Sequence, residues 1–227
     1  MDLISFKSKV ELPSNKGSII YINQYNDFWT WKISVEKQNR GHILDTVHLD
    51  DTCKKLLEIL PRWQTYRGVK CNYEKRLTMA LARISDAYNE IRQHSLLEFH
   101  QIPDATLRFI WDVLGRVKEE LGDRRVNQDY FIIAVCKPLM FLWGQTLAFD
   151  SINRINIRKD ASLKLTSHLQ SGSRWTYSQW KAVLQDFQRE LLQNPEIISH
   201  CQSHSRRVFG SDSIVPYGRY LDIYYYY

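Results

Sequence analysis

Residues 131–150 read FIIAVCKPLMFLWGQTLAFD, an apolar run that holds one cation, Lys137, and ends on Asp150. Placing an unpaired ammonium in a low-dielectric interior costs several kcal/mol, or about 3–5 pKa units, so a lone charge of this kind needs a reason. Active sites supply such a reason more often than other parts of a protein do. The run is interrupted by Lys137 and Pro138 and falls short of the ~20 residues that cross a bilayer, so it reads as the buried centre of a soluble body. Pro138 disfavours α geometry at Lys137 and predicts that the helix begins or kinks there. Gly144 is its predicted end, and Asp150 can cap a following helix through Asp150-Ser151-Ile152-Asn153.

Working outward, the periodicity on both sides is helical. Downstream, the pattern predicts helices over about 162–169, 178–192 and 195–204, with a further one from about Tyr217. Upstream, Asp50 or Asp51 can cap a helix carrying Leu56, Leu57 and Leu60 that stops at Pro61. Residues 73–97 place Leu77, Leu81, Ile84, Tyr88 and Ile91 on one stripe, as a single long helix would. Pro103 opens another, with Leu107, Ile110, Trp111, Leu114 and Val117 inward and an end near Gly122.

Before residue 50 the pattern is strand-like. Residues 28–35 alternate Trp29, Trp31, Ile33 and Val35 against Phe28, Thr30, Lys32 and Ser34, and residues 14–17 and 38–41 read as hairpin turns. The expectation is therefore a mainly α protein of α+β type. A small antiparallel sheet over residues 1–49 would pack on a helical domain over residues 50–227, being too small to stand alone.

The chain has 227 residues, 44% of them hydrophobic, enough for one sizeable core. Its 31 Lys and Arg against 25 Asp and Glu give a net charge of +6, which favours acidic partners without demanding them. Cys53, Cys71, Cys136 and Cys201 are widely spaced and form no CxxC pair. With the charged start MDLISFKSK, they point to a reduced, cytoplasmic setting. Walker A, GxGxxG, GxSxG and EF-hand patterns are absent, and no cofactor is expected. His200 and His204 stand four apart, as two imidazoles on one metal can, but there is no Glu between them and no clear third ligand, so no metal is expected.

A lysine is a nucleophile only when deprotonated, and desolvation among Val135, Leu139, Phe141 and Leu142 pushes Lys137 that way. A carboxylate such as Asp150 can orient a nucleophile or stabilise an oxocarbenium-like sugar. Together they point to N-glycosidic chemistry on a nucleotide. The plainer alternative is that Lys137 snorkels from a core helix and Asp150 is a helix cap alone.

The string Cys136-Lys137-Pro138-Leu139-Met140-Phe141-Leu142, followed by Phe149-Asp150-Ser151, resembles the Ser-Lys-x-Leu-x-Phe-Leu, then aromatic or apolar-Asp-Ser, pattern of prokaryotic proteins with an 8-oxoguanine DNA glycosylase-like fold. That resemblance implies a helical module related to the helix-hairpin-helix DNA glycosylases. It also implies that Lys137 and Asp150 occupy the positions of the lysine and aspartate that carry base excision, with DNA as partner. An extruded base would then sit among Phe141, Trp143 and Phe149. The alternative is an interaction module for nucleic acid or protein that keeps the fold without catalysis.

The basic stretch after Asp150 supplies Arg154, Arg158, Lys159, Lys164 and Arg174, which can track a phosphate backbone or simply form a solvated face. Arg206, Arg207 and Arg219 would extend that surface. Trp175, Tyr177 and Trp180 follow and can stack on bases. The spacing of Trp180, Leu184, Phe187 and Leu191 predicts a core face instead. The tyrosines at 224–227 are assigned no function.

Overall fold

The fold is described from a computed structural model, over residues 1–11, 16–39, 41–67, 72–119, 130–160, 172–210 and 213–226. Among these residues the chain is mainly helical. The N-terminal part forms α1 (Leu3–Glu11), α2 (Lys16–Asn39), α3 (Leu49–Ile59), α4 (Tyr73–Arg83) and α5 (Ser85–Ile91), and a 3-10 turn (Leu96–Gln101) leads into α6 (Asp104–Gly115). The rest comprises α7 (Ile132–Trp143), α8 (Ser151–Lys159), α9 (Tyr177–Leu192), α10 (Pro195–Phe209) and α11 (Tyr217–Tyr226).

The decisive stretch becomes α7, and eleven of its residues, from Ile132 to Trp143 with Ile133 excepted, are buried. Helices α2 and α6 pack on it. Pro138 lies inside this helix rather than at its start. It withholds the amide that Ala134 would otherwise receive, a loss that the dense packing around α7 absorbs. Gly144 closes α7 at φ +75°, its amide bonding the Met140 carbonyl at 2.9 Å. A Cβ there would stand 2.4 Å from the Trp29 ring, so the stop and the packing both need glycine.

Among the described residues of the 1–49 segment there is no strand, and residues 16–39 are one helix. Tyr25, Phe28, Trp29, Lys32 and Val35 are all buried, at intervals of three and four. An alternating strand would place Phe28 and Trp29 on opposite faces. Both instead turn inward, and Trp31 and Ile33 are only partly covered. Aromatic and β-branched residues favour strands only weakly, and burial of this helical stripe outweighs that preference. Helix α2 packs on α7 and α10, so residues 16–39 form part of the one core and not an appendage.

The small antiparallel sheet lies elsewhere, pairing β1 (Tyr130–Phe131) with β2 (Arg174–Trp175) in the register Tyr130↔Trp175 and Phe131↔Arg174. It ties the start of α7 to the start of α9. Residues 73–97 break at Ile84 into α4 and α5 instead of running as one helix. Trp180, Leu184, Phe187 and Leu191 form the expected core face, each fully buried. No helix among the described residues is long and apolar enough to cross a membrane. Cys53, Cys136 and Cys201 are buried free thiols. Cys71, Lys164 and the expected helix over about 162–169 lie outside the described residues.

Candidate functional site

Two residues in the left-handed region that disfavours side chains frame one cleft: Gln64 at φ +55° and Phe149 at φ +52°. Each such residue costs on the order of 1–3 kcal/mol, and such strain gathers at functional sites. Gln64 follows α3 and lines the cleft, while Phe149 delivers the chain to Asp150, which lines it too. The cleft measures about 220 Å³ and is bordered also by Tyr21, Arg62, Trp63, Lys137, Arg219 and Asp222.

Lys137 and Asp150 therefore open into the same space. Lys137 is 6% exposed, and its ammonium donates to the Trp63 carbonyl. Burial holds its pKa below the usual lysine range, while the Asp150 and Asp222 carboxylates act in the opposite direction. Asp150 caps α8, its Oδ1 accepting the Ile152 and Asn153 amides at 3.0 and 3.2 Å. The cap and the cleft wall are one side chain, so the two readings of Asp150 are compatible.

The opposite wall is α11. Asp222 accepts from the Ala148 amide at 2.8 Å on Oδ1 and from Arg219 Nη1 at 2.6 Å on Oδ2. Burial pushes its pKa up to about 6 against the pull of Arg219, with Asp150 adding to the rise. The Asn153 amide group donates to the Asp222 carbonyl at 2.9 Å, so α11 holds the corner that presents Asp150 from both sides. The Arg219 guanidinium lies 5.0 Å from the Tyr25 ring and 5.3 Å from the Trp63 ring. Trp63 is fixed in turn by its indole bond to Gln24 at 3.0 Å and by the Phe141 ring at 5.1 Å.

Comparison of the chain with protein-family profiles, curated proteins and solved structures finds no match. The cleft joins an amine whose charge burial disfavours to two carboxylates, one able to hold a proton near pH 6. Those are the parts of nucleophilic and general acid–base chemistry.

Of the other sequence candidates, Arg219 lines this cleft and the rest lie apart from it. Arg154 donates to the Gly172 carbonyl at 2.8 Å, and Arg158 and Lys159 are exposed on the last turn of α8. Arg174 pairs with Glu119 at 3.1 Å and covers the Phe131 ring at 4.0 Å. Arg219 is buried and ion-paired, so it does not extend a basic surface. Phe141, Trp143 and Phe149 are core residues, as are Trp175, Tyr177 and Trp180. The aromatics that border the cleft are Tyr21, Trp63 and Tyr226. His200 approaches Glu11 at 3.7 Å and His204 bonds the Tyr220 hydroxyl at 3.0 Å. Among the described residues no group of three or more His, Cys, Asp or Glu is placed to hold a metal.

Sequence reasoning missed Trp63, Gln64, Arg62, Tyr21 and Asp222. For Asp222 the signal was present: it is a carboxylate inside the aromatic run YLDIYYYY, the same kind of lone charge that singled out Lys137.

Proposed function

We propose that the chain acts on DNA, with Lys137 as an amine nucleophile at a sugar carbon and Asp150 assisting cleavage of the N-glycosidic bond. The observation that carries this reading is the meeting of Lys137 and Asp150 in one cleft, with Lys137 held by the Trp63 carbonyl. Burial lowers the cost of losing the lysine proton, as an amine nucleophile requires. The volume of about 220 Å³ is below the ~300–1,000 Å³ of sites for drug-sized ligands and suits a single sugar or base. Tyr21 and Trp63, edge to face at 5.2 Å, offer the ring surface against which an extruded base would rest. The exposed Arg62 at the cleft, with Arg158 and Lys159 on α8, would meet phosphates.

Attack by the Lys137 amine on the sugar carbon C1′ expels the base and forms a carbon–nitrogen bond. The base leaves with a proton, and opening of the sugar ring then breaks the C1′–O4′ bond, passes a proton to O4′ and leaves an iminium that borohydride reduces. Incubation with abasic or lesion-bearing duplexes and borohydride is expected to give a covalent protein–DNA adduct that is lost in Lys137→Gln. Absence of a Lys137-dependent adduct across a panel of damaged bases overturns the amine mechanism. A salt-dependent DNA affinity untouched by Lys137→Gln would then favour the non-catalytic binding module.

A further inference from the structure

Helix α8 starts at the lip of the Lys137 cleft and turns a mixed apolar and cationic face outward. Ser151 and Ile152, its first two residues, line the cleft, and Ile152 is 42% exposed. Ile155 is 48% exposed one turn further on, and Arg158 and Lys159 are exposed on the turn after that. Residues three, four and seven apart share a helix face, so Ile152, Ile155 and Lys159 make one stripe with Arg158 beside it. The other face packs on α11: Asn153 and Ile157 are buried, and Asn153 and Asn156 donate to the Asp222 and Tyr225 carbonyls at 2.9 and 2.8 Å. The fold is thus served by that face, and the two outward isoleucines add nothing to the core. The helix, SINRINIRK, holds three cations and no acid.

Cations without acids favour an anionic partner. Exposed Arg62 borders the same cleft, and so do Tyr21 and Trp63, whose rings meet edge to face at 5.2 Å. Phosphates account for Arg62, Arg158 and Lys159, but not for two isoleucines and ring surface beside them. The outside of an intact duplex is sugar and phosphate, with its base faces closed by stacking. An unpaired strand presents those faces, and proteins meet it with ring and apolar surface next to cations that track the backbone. It also brings its bases to the cleft without unpairing, a cost that is lowest where the base is already single-stranded. We propose that α8 and the mouth of the cleft form a docking surface for unpaired DNA. Bases lie against Ile152, Ile155 and the Tyr21–Trp63 pair, and phosphates meet Arg62, Arg158 and Lys159. This inference rests on the reading of the chain as DNA-acting, but not on the chemistry of Lys137.

The test is fluorescence anisotropy of the full chain with a labelled abasic strand of about 15 nucleotides, free and annealed to its complement, at equal salt. The free strand is expected to bind about tenfold more tightly than the duplex. Ile152→Ser with Ile155→Ser should weaken the free strand about tenfold and leave its salt slope unchanged, since no phosphate contact is lost. Both positions are exposed, so circular dichroism should match the wild type; if it does not, the strand preference of the wild type decides alone. Equal or tighter binding of the duplex overturns the proposal, as does full strand affinity in the folded variant. Binding of phosphatidylserine vesicles that is lost in the variant, with strand affinity unmoved, makes α8 a lipid surface and overturns it too. Borohydride trapping on the same DNA separates this inference from the amine mechanism. Tight strand binding without a Lys137-dependent adduct removes the mechanism and leaves the surface, whereas adducts formed preferentially on the duplex do the reverse. No binding of either DNA at low salt removes both.

Discussion

Asp150 and Asp222 show how one side chain takes two roles according to its surroundings. Asp150 spends one oxygen on the first amides of α8, whereas Asp222 is 3% exposed and clamped by Arg219 and Ala148. An acid with a higher pKa folded than unfolded keeps its proton preferentially in the native state. Its contribution to stability is therefore complete below the unfolded value near 3.8 and lost as the pH rises through about 6. Urea denaturation of the wild type should show a fall on the order of 2–3 kcal/mol across that window from this group. Asp222→Asn should flatten the fall; an unchanged pH profile in the variant would assign it to other groups. Lys137 was legible in the sequence because a lone charge in an apolar run is conspicuous. Its hydrogen-bond acceptor was not, since the Trp63 carbonyl is a backbone atom 74 residues away with no side-chain signature.

At the level of elements, α11 is set by one close approach. A Cβ on Gly218 would lie 2.3 Å from the backbone of Gln145 and Thr146, immediately before Arg219 and Asp222. Replacing a helical glycine by alanine ordinarily stabilises by roughly 0.5–1 kcal/mol. Here Gly218→Ala is expected to destabilise by about 1–3 kcal/mol, because the clash is with backbone and α11 must move away. A denaturation midpoint at or above the wild type would show that α11 tolerates the shift. Helices α3, α7, α9, α10 and α11 were readable from spacing and caps. Helix α2 was not, because its aromatic and β-branched residues fit both periods locally and only burial against α7 and α10 decides between them.

Over the whole molecule, the surplus of +6 is spread, and several cations that look available in sequence are occupied. Arg174 is tied to Glu119 and Arg219 to Asp222, while Arg158 and Lys159 stand exposed together. If α8 follows the phosphates of a duplex, alanine at both positions should reduce the slope of log K against log salt by about 2, since each phosphate no longer neutralised removes about 0.9. Fluorescence anisotropy with a labelled duplex at several salt concentrations measures this. A slope equal to that of the wild type would place the phosphates elsewhere. The linear order of charges shows which residues are basic. It cannot show which already have a partner, because their acceptors come from distant segments.

The cleft draws Tyr21 from α2, Trp63 after α3, Lys137 from α7, Asp150 before α8 and Arg219, Asp222 and Tyr226 from α11. A ribosome makes the first of these long before the last. Chains emerge at roughly 5–20 residues per second, and the N-terminal parts begin to fold first. Trp63 and Lys137 are thus both made before Arg219 and Asp222, and the lining of the cleft is complete only once residues 217–226 have been added.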